Sequence, residues 1–194
     1  FYYMYKPGEH VFYPKGGVFV IDKESNKQIA GHMISFFDLV SSDGKTRISI
    51  PKTNVSRVGV RKLISDSELE YHIDSWAPDL KICKLHHKNR KSRFEAFRQT
   101  GEFTDMSTVV VTIHYLINKT KATFEEKRMY DQIRKRMVDE IEIIRSLSTK
   151  EADDTLKNAL DEAILRKPIK SKEDEELEAL AFEAEEAVEA VALT

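Results

Sequence analysis

The sequence predicts an α+β protein: a small SH3-like β-barrel, then a compact all-helical domain, then an acidic tail. Two patterns support this prediction. Before residue 63, short apolar segments alternate with a period of two and are separated by turns rich in glycine and proline. From Ser65 to about residue 165, apolar residues recur with a helical period and follow capping sequences. We expect the barrel at residues 1–63, the helical domain at 64–167 and a Glu/Ala-rich tail at 168–194.

An antiparallel hairpin is expected to begin the barrel. Its first strand is predicted at His10–Tyr13, and its returning strand at residues 18–21. Between them, Pro14 lacks a backbone donor and Gly16-Gly17 tolerates positive φ, so the ladder stops and the chain turns.

Three further strands are predicted before residue 63. The stretch 22–31 is polar and ends in a turn, and the strand expected at 33–40 is rich in phenylalanine. Asp43-Gly44 is a strong hairpin-turn signal before a strand at 46–50. A short last strand at 58–60 is expected to close the barrel.

Capping sequences predict where the helices begin and end. Ser65, Thr123 and Ser148 each stand three residues before a glutamate, which is the capping-box pattern of a helix N-terminus. A basic helix is predicted at residues 88–100, with Gly101 as its C-terminal cap.

Another helix is expected to begin at Thr104 or Asp105. Its β-branched run at 109–111 also fits a strand, but the longer series of apolar positions favours a helix. The sequence therefore predicts five short helices after the barrel.

Composition restricts the function classes. Apolar residues make up 41% of the chain and charged residues 33%, and the chain has no apolar run of about eighteen residues, so no membrane span is expected. The N-terminal residues lack the basic and then apolar pattern of a secretory signal. The single cysteine, Cys83, excludes an internal disulfide and fits a reducing cytoplasm, so we expect a cytoplasmic protein.

The net charge of −2 conceals an uneven distribution. Residues 1–80 carry 10 basic and 10 acidic residues, residues 81–150 carry 16 and 9, and residues 151–194 carry 5 and 14. The middle region therefore has a net charge of +7 and the last region −9. Contact with phosphates requires accessible Lys and Arg, so the middle region is a candidate for nucleic-acid binding. A solvated basic face is the alternative.

Two sets of motifs resemble one known family. Gly8-Glu9-His10-Val11, followed by Tyr13-Pro14 and Gly17-Val18, resembles the opening motif of the CarD/CdnL transcription regulators. The polymerase-interaction module of transcription-repair coupling factors opens similarly. Gly101-Glu102 after a basic helix, and then Glu126-Lys127-Arg128-Met129, resemble the helical domain of the family over a match that reaches about residue 165. The resemblance implies a Tudor-like domain that docks on bacterial RNA polymerase, and helices that meet promoter DNA at the upstream edge of the melted bubble.

The resemblance also implies residues for the polymerase contact. Lys27 and Ile29 match a basic and an aliphatic position just before a glycine turn. A second basic position falls on Ser49, and Arg47 on the same strand face is expected to replace it. Through Lys27, Ile29 and Arg47 we expect strand addition or edge docking against the polymerase β subunit. The alternative is ordinary edge-strand charge that prevents aggregation.

For the DNA contact, the resemblance puts His87 where the family has a tryptophan that wedges into the minor groove. The only tryptophan, Trp76, lies eleven residues earlier and either reaches DNA from there or anchors a core. Arg90 and Lys127 fall on basic positions of the family, and the basic side chains of the 88–100 helix are expected to stay in water. The expected DNA-binding residues are His87, Arg90, Lys91, Arg93, Lys127 and Arg128.

No enzyme, cofactor or metal site is expected. Gly16-Gly17 lacks the flanking sequence of a phosphate-binding loop, and Cys83 with His86 and His87 lacks the paired ligand spacing of structural zinc. We expect a monomeric, nucleoid-associated regulator that stabilises the open promoter complex, with the acidic tail screening its basic face. The alternative function is an adaptor that docks on RNA polymerase or a repair factor without binding DNA.

Overall fold

The structure is a computed structural model that describes residues 5–166 and position 180. Its strands are β1 His10–Tyr13, β2 Gly17–Ile29, β3 His32–Ser41, β4 Arg47–Pro51 and β5 Arg61–Lys62. Its helices are α1 Asp66–Ser75, α2 Leu80–Cys83, α3 His87–Thr100, α4 Phe103–Asn118, α5 Phe124–Arg145 and α6 Thr149–Ala163. The predicted acidic tail lies outside the described residues except at position 180.

The strands form one antiparallel sheet in the order β4-β3-β2-β1-β5. The prediction of a closed barrel is wrong for the described residues, because β4 and β5 are both edge strands. The last strand is two residues long and pairs only with β1, through Val11↔Lys62 and Phe12↔Arg61. The residues predicted as that strand, 58–60, instead form a turn in which Gly59 has a φ of 79°.

Strand β2 is much longer than predicted. The polar stretch after Ile21 continues as a strand to Ile29 and pairs with β3, with a register shift between Ile21 and Lys23. Ala30 and Gly31 both have positive φ, which suits the tight turn of a twisted hairpin. The result is a β2–β3 ribbon whose tip is exposed.

The helical predictions are largely confirmed. The capping boxes at Ser65, Thr123 and Ser148 all form, and Gly101 ends α3 in the left-handed conformation. The alternative of a strand at 109–111 is wrong, because these residues lie in the interior of α4. The short helix α2 was not predicted, so six helices are present in the described part of the chain rather than five.

Two hydrophobic clusters share strand β1. The larger cluster surrounds α4 and includes Phe12 and Val18 from the sheet. The smaller cluster lies against the sheet and includes Val11 and Phe19. Because successive strand residues point to opposite faces, Val11 enters one cluster and Phe12 the other, and both are fully buried. The sheet is therefore packed directly on the helices.

Pro14, just after β1, is enclosed by two glycines. A Cβ atom on Gly101 would lie 2.4 Å from the Cγ atom of Pro14, and one on Gly59 would lie 2.9 Å from it. Arg136 on α5 donates hydrogen bonds to the carbonyl oxygens of Pro14 and Lys15, at 2.6 and 3.3 Å. The turn between β1 and β2 is thus held against the C-terminus of α3 and the middle of α5.

Candidate nucleic-acid interface

Charge pairs join α3 and α5 near their N-termini. Nη2 of Arg90 on α3 donates to Oε2 of Glu126 on α5 over 3.0 Å, and both side chains are buried. At the surface, Nζ of Lys91 lies 2.7 Å from Oε2 of Glu125. The two helices therefore present their first turns on the same side of the molecule.

Arg90 is part of the interior, and the expectation that it stays in water is wrong. Only 7% of Arg90 is exposed, and its guanidinium also donates to the carbonyl oxygen of Leu85 at 3.2 Å. Burial alone would raise the pKa of Glu126, but hydrogen bonds from Arg90 and from the Thr123 backbone outweigh burial and lower that pKa. Arg90 thus holds a buried carboxylate in place, and its guanidinium is not offered to DNA.

The other five residues expected at DNA are exposed. On α3 these are His87, Lys91 and Arg93, and on α5 they are Lys127 and Arg128. Each helical residue advances about 100° around the axis, so Arg93 lies roughly 200° from Lys91. Since Lys91 faces α5, Arg93 lies on a side of α3 that faces away from α5.

Sequence reasoning missed an exposed aromatic side chain at the centre of this region. Phe124, the first residue of α5, is 80% exposed. It lines a cavity of about 450 Å³ between α3 and α5, whose other charged or titratable residues are His87, Lys88, Lys91, Glu125 and Glu126. Its position directly after the Thr123 cap was the available signal. We name the exposed set the aromatic–basic surface; it consists of His87, Lys88, Lys91, Phe124, Lys127 and Arg128.

The residues of α5 in this surface share one helix face. Lys127 and Arg128 lie three and four residues after Phe124, which is the spacing of neighbours on a helix. The arrangement can attract phosphates through its cations and stack on a base through its aromatic rings.

Two histidines begin α3. His86 caps the helix, since its Nδ1 accepts from the backbone N–H of Lys88 at 3.4 Å. The rings of His86 and His87 lie 4.0 Å apart with a 41° angle between their planes. Both residues are exposed, so His87 is supported by its neighbour and remains open to solvent.

Trp76 is a core residue. It is 5% exposed, lies in the larger hydrophobic cluster and stacks on Phe103 with ring centroids 6.4 Å apart. The interpretation of Trp76 as a core anchor is confirmed, and the alternative that it reaches DNA is wrong.

The three residues expected at RNA polymerase lie on the β2–β3–β4 part of the sheet. Nζ of Lys27 donates to Oγ of Ser49 at 2.9 Å, so Lys27 reaches across β3 to the edge strand β4. Arg47, two residues before Ser49, is exposed, and its Nη1 lies 3.3 Å from Oδ2 of Asp22. Ile29, at the end of β2, is 48% exposed. Lys27 is therefore adjacent to the face of β4 that carries Ser49 and Arg47.

One family model matches the chain. It is the CarD C-terminal domain, and the match covers residues 84–157. This range runs from just before α3 to the middle of α6 and contains every residue of the aromatic–basic surface. Residues 84–157 thus match the CarD C-terminal domain, which supports the CarD/CdnL resemblance of the sequence motifs.

CarD family proteins are in general regulatory and not enzymatic, and they act in transcription through an interaction with RNA polymerase. No curated protein matches this chain.

The structure also bears on thiol and metal chemistry. Burial raises the pKa of the Cys83 thiol to about 11, so Cys83 is a poor nucleophile and a poor metal ligand at neutral pH. Residues 5–166 and position 180 contain no group of three His, Cys, Asp or Glu side chains placed to hold a metal. Within the same residues, no helix is long and apolar enough to cross a membrane.

Proposed function

We propose that this protein binds the β subunit of RNA polymerase through its sheet and promoter DNA through its helical part, and that it stabilises the open promoter complex. The aromatic–basic surface is the observation that carries the proposal. In this reading residues 1–63 are the polymerase-interaction domain and 64–167 the DNA-binding domain.

The composition of the aromatic–basic surface supports a DNA contact without sequence preference. Lys88, Lys127 and Arg128 form no ion pair with a described residue and supply phosphate contacts, which do not depend on base identity; Lys91 is paired with Glu125. Phe124 is a large apolar side chain that is 80% exposed, so its ring is available for contact with a ligand. Beside an unwound base step it has a partner, because apolar side chains insert between bases that have lost part of their stacking.

His87 takes the position of the wedge residue, and Phe124 adds to it. The two side chains line the same cavity, so one base step can meet both rings. A histidine alone offers less stacking area than a tryptophan, and the neighbouring phenylalanine makes up the difference. This is how the chain compensates for its missing tryptophan.

The exposed edge of the sheet supports the polymerase contact. Strand β4 is an edge strand with no second strand partner among the described residues, so its outer backbone groups can add a strand of another protein. Arg47 on that strand and Lys27 beside it carry positive charge that complements acidic groups on a partner. Lysine lacks the bidentate fork of arginine, so the Lys27 contact is a point charge and Arg47 supplies the fork.

Two weak contacts cooperate when one protein carries both. Docking on polymerase raises the effective concentration of the aromatic–basic surface at the promoter, so a modest DNA affinity is sufficient. Preference for melted over closed DNA then shifts the population towards the open complex, and no catalysis or cofactor is needed.

The lifetime of open complexes formed by the cognate polymerase tests the proposal. The full chain should lengthen it, and both a Lys27→Ala/Arg47→Ala chain and a Lys127→Gln/Arg128→Gln chain should lose most of the effect. Lys150→Gln, a surface lysine outside both regions, is the matched control. An unchanged lifetime with a wild-type chain that still binds polymerase would exclude the DNA mechanism.

That last outcome would favour the second candidate function, an adaptor without DNA binding. One observation supports it: the tip of the β2–β3 ribbon exposes Ile29 and Met33, with exposed fractions of 48% and 69%. An apolar ribbon tip is a protein-docking feature, and it is independent of the aromatic–basic surface.

A further inference from the structure

A second electropositive region lies between the sheet and the helices, away from the aromatic–basic surface. It is a cleft of about 840 Å³. Its lining includes four cations from four different segments and no carboxylate of the described residues: Lys15, Arg57, Arg98 and Arg136. Small-ligand pockets commonly have volumes of about 300–1,000 Å³.

Most of these cations have no carboxylate partner among the described residues, although Asp43 and Asp139 line an adjoining cavity that Lys15, Arg98 and Arg136 share. Lys15 and Arg57 form no ion pair with any described residue. Among the described residues, the guanidinium of Arg136 donates to the neutral carbonyl oxygens of Pro14 and Lys15. Arg98 has a carboxylate partner in Glu95, which accepts from its Nε at 3.2 Å and also from its Nη2.

The cations of the cleft also act on one another. Burial lowers the pKa of Arg136, and the positive charge of Arg98 lowers it further. Holding like charges together is unfavourable unless an anion joins them. Because Arg136 is oriented by two backbone carbonyls, its guanidinium is fixed before any ligand arrives, which reduces the entropy lost on binding.

We propose that this cleft binds a triphosphate, either free or carried by a nucleotide. The guanidinium of Arg57, which forms no ion pair with a described residue, can donate two parallel hydrogen bonds to a phosphate, and Lys15, Arg98 and Arg136 add positive charge around it. The concave shape between two parts of the molecule admits a compact anion of high charge. A double helix presents its phosphates on a convex backbone and is better suited to the open aromatic–basic surface.

Such a ligand would join the sheet to the helices. Lys15 belongs to the β1–β2 turn, Arg57 to the segment before β5, Arg98 to α3 and Arg136 to α5. Binding to the folded form alone would therefore stabilise the packing of the sheet on the helices, by an amount that grows with the logarithm of ligand concentration.

Calorimetric titration of inorganic triphosphate into the full chain, at low salt and without divalent cations, tests the proposal. We expect saturable binding that an Arg57→Gln/Arg98→Gln chain weakens at least tenfold, and that the control Lys150→Gln leaves unchanged. A rise in melting temperature with triphosphate, absent from the double variant, is the second expected result. The substitutions avoid Arg136, whose loss would also remove contacts that the fold uses.

A parallel titration with ATP separates the two sources of the triphosphate. Equal affinities mean that the cleft recognises the phosphates alone, and tighter binding of ATP means that it takes a nucleotide. The proposal is overturned if wild-type chain shows no binding at millimolar triphosphate, or if the double variant binds as well as wild type. It is also overturned if the double variant loses only DNA affinity, which would make the cleft a DNA contact. Each of these results leaves the proposed function of the aromatic–basic surface untouched.

Discussion

Arg61 on β5 and Glu140 on α5 form a two-pronged ion pair between the sheet and the helices. Nη1 lies 2.8 Å from Oε1 and Nη2 lies 3.0 Å from Oε2. Glu140 is fully buried, and it also accepts from the backbone N–H of Ile64 at 3.2 Å. Arg61 in turn donates to the carbonyl oxygen of Gly101 and lies over the ring of Phe12. One arginine thus contacts β1, the end of α3 and α5.

Glu140→Gln should be strongly destabilising. It leaves the guanidinium of Arg61 largely enclosed without its counter-charge, and breaking a buried pair in this way costs about 3–5 kcal/mol. Urea unfolding measures the loss. Glu162→Gln is the control. Glu162 is exposed, its Oε2 lies as far as 3.7 Å from Nη2 of Arg166, and such a surface pair is worth about 0–1 kcal/mol. Equal midpoints for the two variants would show that Arg61 finds another partner.

Gly101→Ala should disturb the junction more than a simple change of backbone preference. The new Cβ would lie 2.4 Å from Pro14, so the α3 end and the β1–β2 turn must separate. Gly44→Ala is a matched control, since Gly44 has a φ of 74° but no atom within 4 Å of the added Cβ. The control should lose about 1–2 kcal/mol from the left-handed conformation, and Gly101→Ala more than that. A stability loss no larger than that of the control would mean that Pro14 moves freely.

Phe124→Ala should weaken binding to DNA that contains a melted segment and leave folding stability unchanged. Stacking of a base on an aromatic ring is worth about 1–3 kcal/mol, and the ring is 80% exposed, so the fold loses little. Fluorescence anisotropy with bubble-containing DNA measures the effect. Tyr71→Ala removes another exposed aromatic ring, on α1, and should change neither DNA affinity nor folding stability. Equal affinities of the two variants would remove Phe124 from the DNA contact.

Arg128 and Arg90, both expected from the sequence to bind DNA, should respond differently to substitution. Arg128→Gln should lower the slope of log affinity against log salt by about 1, as expected for one lost phosphate contact, with stability unchanged. Arg90→Gln should instead destabilise the fold, because Glu126 would keep a buried charge without its partner. Affinity as a function of salt, measured beside urea unfolding, distinguishes the two effects. A stable Arg90→Gln chain with a reduced salt slope would contradict the interior role of Arg90.

Glu126 should make folding stability depend on acid. Its pKa is lowered below the ordinary value of 4.5 in the folded chain, so its contribution is complete above 4.5 and is lost as the pH falls through the folded pKa. A Glu126→Gln chain lacks this contribution at neutral pH. The stability difference between wild type and Glu126→Gln should therefore shrink when unfolding is measured below pH 4.5. A difference that is constant with pH would show that the carboxylate is not held by charge.

Local signals in the sequence predicted most of the helical part. The caps at Ser65, Thr123 and Ser148 use residues three positions apart, so a short window contains the whole interaction. Barrel closure was predicted incorrectly because it depends on which distant strands meet. The short pairing of β5 with β1 crosses about fifty residues of sequence and has no local signature.

In the candidate site, too, local patterns predicted some features and long-range packing determined others. Exposure of Lys91, Lys127 and Arg128 followed from charge and helical period. The burial of Arg90 did not, because it depends on Glu126, which lies 36 residues further along the chain. A basic residue on a charged helix gives no sign of such a partner until the two helices are packed.

The shared strand β1 makes the two halves of this protein an obligate pair. A fragment cut after β5 would leave Phe12 and Val18 facing water, because their neighbours in the larger cluster come from the helices. The helices alone would expose the apolar surface that Phe12 and Val18 cover. The sheet could therefore be transferred to another protein as an independent domain only if the apolar residues of this face were first replaced by polar ones.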